Sequence, residues 1–261
     1  WRLKGHGKTR FWEWMATWSI CIRNPADLGF DGTQYELPPI NLVEHTVSGG
    51  DLMEGQLFAV TAQTLSERRE AKRNSMTDRI ALAAKIANES VNPVIVWCHM
   101  NEESELLTKA IADAVEVTGS MSIEQKSKNI MGFTHGEDRV LVSKASICGF
   151  GMNWQHCDTM VFAGIDDSFE KFYQAIRRCW RFGQKKQVTV HIITAETEGA
   201  VKANIARKQS QAEEMAGQMV AHMRELTRKQ IVGAVSNTET YNPTVPMIIP
   251  TWIIANIESR Q

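Results

Sequence analysis

Val94-Ile95-Val96-Trp97-Cys98 is apolar at every position. A strand with one wet face alternates, so a short run with no polar residue predicts a strand buried on both faces. The pattern downstream repeats the theme. A helix is expected next, with Leu106, Leu107, Ala110, Ile111 and Ala114 inward, then a short strand at Val115-Glu116-Val117. A helix from Ser122 to Gly132 opens on the capping box Ser122-x-x-Gln125. Strands follow at Arg139-Val140-Leu141-Val142 and Thr159-Met160-Val161-Phe162-Ala163. A helix from Ser168 to Phe182, the strand Val188 to Ile193 and a long helix through the 200s complete the series. Apolar strands alternating with helices define an α/β class: a parallel sheet covered by helices on both faces. Ligands of such sheets sit at the carboxyl ends of the strands.

Upstream, Gln63 to Asn88 reads as a charged helix with Ile80, Ala83, Ala84 and Ala87 inward. Phe11, Trp14, Met15, Trp18, Cys21 and Ile22 repeat at helical spacing and give one greasy face, which Asn24-Pro25 ends. That helix either packs on this chain's own core or is the tail of something that began upstream. Asp27 to Pro39 is turn-rich, and the pattern decays after about Arg228, where Pro243, Pro246 and Pro250 precede Trp252-Ile253-Ile254. The chain opens on Trp1 rather than Met, which is expected of a piece of a longer protein.

Of 261 residues, 43% are apolar and 23% charged, which excludes a disordered chain. No run approaches ~18 apolar residues, and the start is no secretion signal, so an intracellular, cytoplasmic protein without a membrane span is expected. A net charge of −1 confines any nucleic-acid contact to a local patch. The five cysteines form no C-x-x-C pair and have apolar neighbours, so buried free thiols are expected rather than disulfides or zinc.

Three motif fragments fail on context. Gly5-His6-Gly7-Lys8-Thr9 has Arg2 where a phosphate loop needs its first Gly, and no strand precedes it. Gly149-Phe150-Gly151 begins like a dinucleotide fingerprint but continues to Trp154 and a strand. Asp166 and Asp167 after the strand at Thr159 could hold a metal, yet Asp167 or Ser168 suits a helix N-cap better.

The segment that carries chemistry is Gln174-Ala175-Ile176-Arg177-Arg178-Cys179-Trp180-Arg181-Phe182-Gly183-Gln184. On a continuous helix Gln174, Arg178 and Arg181 fall within about 60° of one another, with Phe169, Phe172, Ile176 and Trp180 opposite. No acid lies between Lys171 and Gln187. Converging guanidiniums repel unless an anion is present, and the planar fork of Arg suits phosphate. The alternative is a solvated basic helix. The loop Ser143 to Gln155 begins where the strand at Arg139 ends, and its two glycines let a partner approach the backbone.

Gly149-x-Gly151-x-Asn153, then a strand, then Gln174-Ala175-x-x-Arg178-x-x-Arg181-x-Gly183-Gln184 resembles motifs V and VI of superfamily 2 helicases. It is most similar to the chromatin-remodelling DNA translocases and their phage and bacterial relatives. The resemblance covers about Val94 to Lys208 and looks like the second of two RecA-like lobes. It departs in two places: Arg177 stands where the family usually has Gly, and Ser146-Ile147-Cys148 replaces Lys-Ala-Gly, leaving Lys144 two places early.

The resemblance implies residues 1–45 as the end of a first lobe and a linker, 46–230 as the second lobe and 231–261 as a C-terminal extension. It implies ATP and Mg2+ held mainly by that first lobe, with Arg178 and Arg181 as fingers on the γ-phosphate. Gln174, Gly149, Gly151 and Asn153 would face the nucleotide, and Ser143, Lys144 and Trp154 the nucleic acid, duplex DNA in preference or RNA. The implied activity is an ATP-dependent DNA helicase or translocase, with this chain inactive alone. The rival readings are a non-catalytic nucleic-acid-binding or scaffold module and a binder of small nucleotides.

Overall fold

The computed structural model describes residues 7–48, 73–165, 168–196 and 199–231. Six strands, β1 (Asn41–Val47), β2 (Val94–Cys98), β3 (Ala114–Val117), β4 (Val140–Lys144), β5 (Thr159–Phe162) and β6 (Thr189–Ala195), form one sheet in the order β1-β6-β5-β2-β4-β3. Every neighbouring pair is parallel, with Ile95 opposite Leu141 on one side and Met160 on the other. The protein therefore has the α/β fold expected from the apolar runs, a parallel sheet with helices on both faces.

The pleat splits the strands between two cores. Ile95, Trp97, Leu141, Met160 and Phe162 face one side, where they meet α4 (Ile123–His135), α5 (Ala145–Cys148), α6 (Phe169–Ile176) and the start of α7 (Gly199–Ile231). Val94, Val96, Val140, Val142 and Val161 face the other, against α2 (Met76–Glu89) and α3 (Asn101–Ala110). Ala83 and Ala87 are fully buried there, and their small side chains let α2 lie close to the strands. All five thiols are free, and all but Cys21 are buried.

Several elements depart from expectation. The edge strand β1 lies in a segment expected as linker, and a domain boundary at residue 45 would cut through it. On α3, Leu107 and Ile111 turn inward, whereas Leu106 is 39% exposed and Ala114 opens β3. At the N-terminus, α1 (Lys8–Ala16) and the 3-10 turn Pro25–Leu28 lie against α7, so the aromatic helix packs on its own chain. Trp14 and Trp18 nevertheless stay 57% and 60% exposed. The segment after α1 is fastened further along: Trp180 Nε1 donates to Pro38 O at 2.8 Å, and the Tyr35 and Phe182 rings lie 5.1 Å apart. Among the described residues no helix is long and apolar enough to cross a membrane. Residues 49–72 and 232–261, which include the first half of the expected helix at Gln63 and the apolar end at Trp252, lie outside the described residues.

Candidate phosphate-facing arginine site

The helix expected to run to Phe182 stops at Ile176, because the carbonyls a longer helix needs are taken by other partners. Gln174 O accepts from Arg178 Nε at 2.9 Å, while Arg178 N turns to Ala175 O at 3.1 Å. Arg178 O accepts from Trp154 N at 2.9 Å, which joins the arginine segment to the glycine loop. At its start, α6 is capped by Ser168, whose hydroxyl accepts from Lys171 N at 3.3 Å. Asp166 and Asp167 lie outside the described residues.

The turn after Ile176 brings the two expected arginines to one acceptor. Met152 O takes Arg178 Nη1 at 3.2 Å and Arg181 Nη1 at 3.3 Å. Arg178 also gives Nη2 to Gln174 Oε1 at 3.1 Å and is only 7% exposed. Arg181 is more open. Its Nη1 is also hydrogen-bonded to Asn153 Oδ1, and its Nε is buried with no partner. Among the described residues neither guanidinium meets a carboxylate. Burial, and then the charges of Arg181 and Arg177, push the Arg178 pKa below its ordinary value. Arg177 leaves the cluster and stacks over the Trp180 ring, 5.4 Å from its centroid.

The glycine loop is built for tight folding. A Cβ on Gly149 would lie 2.0 Å from Ala145 O, so only glycine fits where α5 ends. Gly151 has φ of +79°, the left-handed region, and turns the chain so that Met152 O and Asn153 face the arginines. Gly149 is thus a buried packing position, while Gly151 and Asn153 are exposed on the loop.

Two expected nucleic-acid contacts are corrected by burial. Ser143 is fully buried and donates to Val117 O at 2.8 Å, tying β4 to β3. Trp154 is fully buried too: its Nε1 donates to Thr134 Oγ1 at 2.9 Å, and its ring meets Phe133 edge-on at 5.4 Å. Side chains so enclosed offer nothing to a nucleic acid. Lys144 differs, lining a cleft of about 130 Å³ at the carboxyl ends of the strands with His99, Ser146 and Lys171.

Two residues had no role in the sequence reading. Gln184 is buried and donates to Gln155 O at 2.9 Å, Cys157 O at 3.2 Å and Cys179 O at 3.3 Å, pinning the loop to the arginine segment. The other, Arg79, lies in a buried ion pair beside the cleft. Arg79 Nη1 lies 2.7 Å from Glu103 Oε1 and Arg79 Nε 3.0 Å from Ser75 Oγ, while Arg79 Nη1 also donates to Ala163 O. Glu103 Oε2 accepts from His99 N at 2.8 Å and Met100 N at 3.0 Å. Spacing could have revealed Arg79, which stands four and eight residues before the inward Ala83 and Ala87.

Comparison with known proteins places this architecture. Residues 74–183 match the family described as the helicase conserved C-terminal domain. This stretch of the chain is thus similar to the C-terminal domain of helicases. The chain is similar to the TATA-binding protein-associated factor mot1 of Aspergillus fumigatus, in two strains, with 30% identity over 117 residues. The match takes in 41% of this chain and 6% of that protein's length, so the chain spans a small part of these relatives. A solved structure of the C-terminal part of the Fun30 ATPase domain aligns with a TM-score of 0.44 and 15% identity, over 51% of this chain and 46% of that one. The curated relatives are eukaryotic, and the phage or bacterial character expected from sequence has no counterpart in them.

Proposed function

We propose that this chain is the second motor lobe of an ATP-driven translocase on nucleic acid, with duplex DNA as the favoured track. In this reading ATP and Mg2+ are held by a first RecA-like lobe of the same protein, and Arg181, positioned by Arg178, reaches the γ-phosphate across the interface. As water attacks the γ-phosphorus and the bond to the ADP oxygen breaks, negative charge spreads over the phosphoryl oxygens. A preorganised guanidinium stabilises that charge, an effect of roughly 10³ to 10⁵ in related phosphoryl transfers.

The observation that carries the reading is two adjacent guanidiniums held, among the described residues, only by neutral oxygens, Met152 O, Gln174 and Asn153. Such a pair is charged, oriented and unneutralised, which suits an incoming phosphate. Gln174 acts through Arg178 rather than on the nucleotide. Lys144 and Ser146 at the cleft are the candidates for backbone phosphate, a contact that reads no sequence and weakens with salt.

The test is nucleic-acid-stimulated ATP hydrolysis by the intact protein and its Arg181→Ala variant. A fall in kcat of about 10² or more with the nucleotide KM retained supports the finger, since that pattern marks an interaction made in the transition state. Unchanged hydrolysis by a folded variant overturns it and returns the arginine segment to a binding surface.

A further inference from the structure

We infer that Asn153 is a positioning residue that holds Arg181 in a resting place, its amide oxygen standing where an anion's oxygen will later stand. The inference rests on the finger reading above and concerns the control of that same site.

The two arginines are held differently. Arg178 is tied at Nε, Nη1 and Nη2 and is nearly enclosed, so it cannot swing without breaking three bonds. Among the described residues Arg181 is tied through Nη1 alone, to Met152 O and Asn153 Oδ1, and its buried Nε has no partner. A buried donor left unpaired is costly, so this rest position leaves Arg181 with a reason to move. A phosphate oxygen adds an opposite charge to the hydrogen bond, which the neutral amide oxygen does not offer.

Asn153 is itself well placed for such a role. It follows Gly151, whose left-handed φ turns the loop, and precedes Trp154, whose N–H is fixed on Arg178 O and whose side chain is buried. The backbone on both sides is therefore set, and the Asn153 side chain stands at the arginines while remaining exposed. A neutral amide holds a guanidinium without satisfying its charge. A carboxylate there would satisfy it and keep it.

The test uses the intact ATPase and three variants, Asn153→Ala, Asn153→Asp and Arg181→Ala, with kcat and KM measured separately for ATP. Asn153→Asp is expected to fall at least tenfold below Asn153→Ala in kcat, about 1.4 kcal/mol in barrier, with similar KM for ATP. Loss of a merely structural amide would lower both variants alike, and that outcome overturns the inference. If Arg181→Ala lowers kcat while the two Asn153 variants agree, the resting role fails and the finger stands. If Arg181→Ala leaves kcat unchanged, both fall together. Thermal unfolding of each variant shows whether a lost rate is a lost fold.

Discussion

Two arginine sites in this lobe carry the same group in opposite settings. Arg79 is fully buried and meets a carboxylate, Glu103, together with a serine hydroxyl and a carbonyl. Among the described residues Arg178 and Arg181 meet only carbonyl and amide oxygens. The first site is electrically closed, and its bonds join α2, the turn between β2 and α3, and the end of β5. The second is electrically open. A guanidinium paired inside the protein is part of the framework, whereas one parked on neutral oxygens keeps its charge for something else.

A stability series sharpens that contrast. Glu103→Ala removes the carboxylate that Arg79 meets in a buried site and should cost about 3 to 5 kcal/mol in urea unfolding. Arg178→Ala removes bonds within a nearly buried cluster and should cost about 2 kcal/mol. Arg181→Ala should cost under about 1 kcal/mol, because its side chain is partly exposed and its bonds are to neutral oxygens. Equal losses at all three sites would erase the distinction between framework and function.

A smaller effect concerns a histidine pair at the sheet edge. His45 Nε2 and His191 Nδ1 lie 2.9 Å apart across β1 and β6. Burial, and then the neighbouring His45, lower the His191 pKa from its ordinary 6.5, and burial lowers that of His156 likewise. A histidine with a depressed folded pKa is more easily protonated in the unfolded chain. Its contribution to stability is therefore complete above the ordinary value and lost as pH falls below it. Stability should be flat near pH 7.5, decline toward pH 5, and decline less steeply in His191→Gln, as followed by chemical unfolding across pH. An unchanged slope in that variant would place the acid sensitivity elsewhere.

The sequence revealed the central fold because the inner strands are apolar on both faces, a pattern with no competing explanation over Val94–Cys98 or Val140–Val142. It hid β1, an edge strand whose Glu44 and His45 break the run and whose outer positions are exposed. The arginine segment was legible by residue type but not by path. Its apolar period continues to Trp180, yet tertiary partners take the carbonyls that a helix would use. Burial of Ser143 and Trp154 was equally hidden, since a polar loop gives no sign of which side chains turn inward. The coming together of Arg178, Arg181 and Asn153 survived these errors because it depends on two loops meeting at Met152 rather than on one helical face.

The central claim is that Arg181 engages phosphate as charge develops, and a binding measurement tests it most directly. Affinity of the intact protein for ADP with aluminium fluoride, a mimic of the transferring phosphoryl group, is compared with affinity for ADP alone, in the native chain and in Arg181→Ala. The account predicts that the variant loses at least tenfold for the mimic while its ADP affinity is kept. Equal affinities of native and variant proteins for both ligands would contradict it.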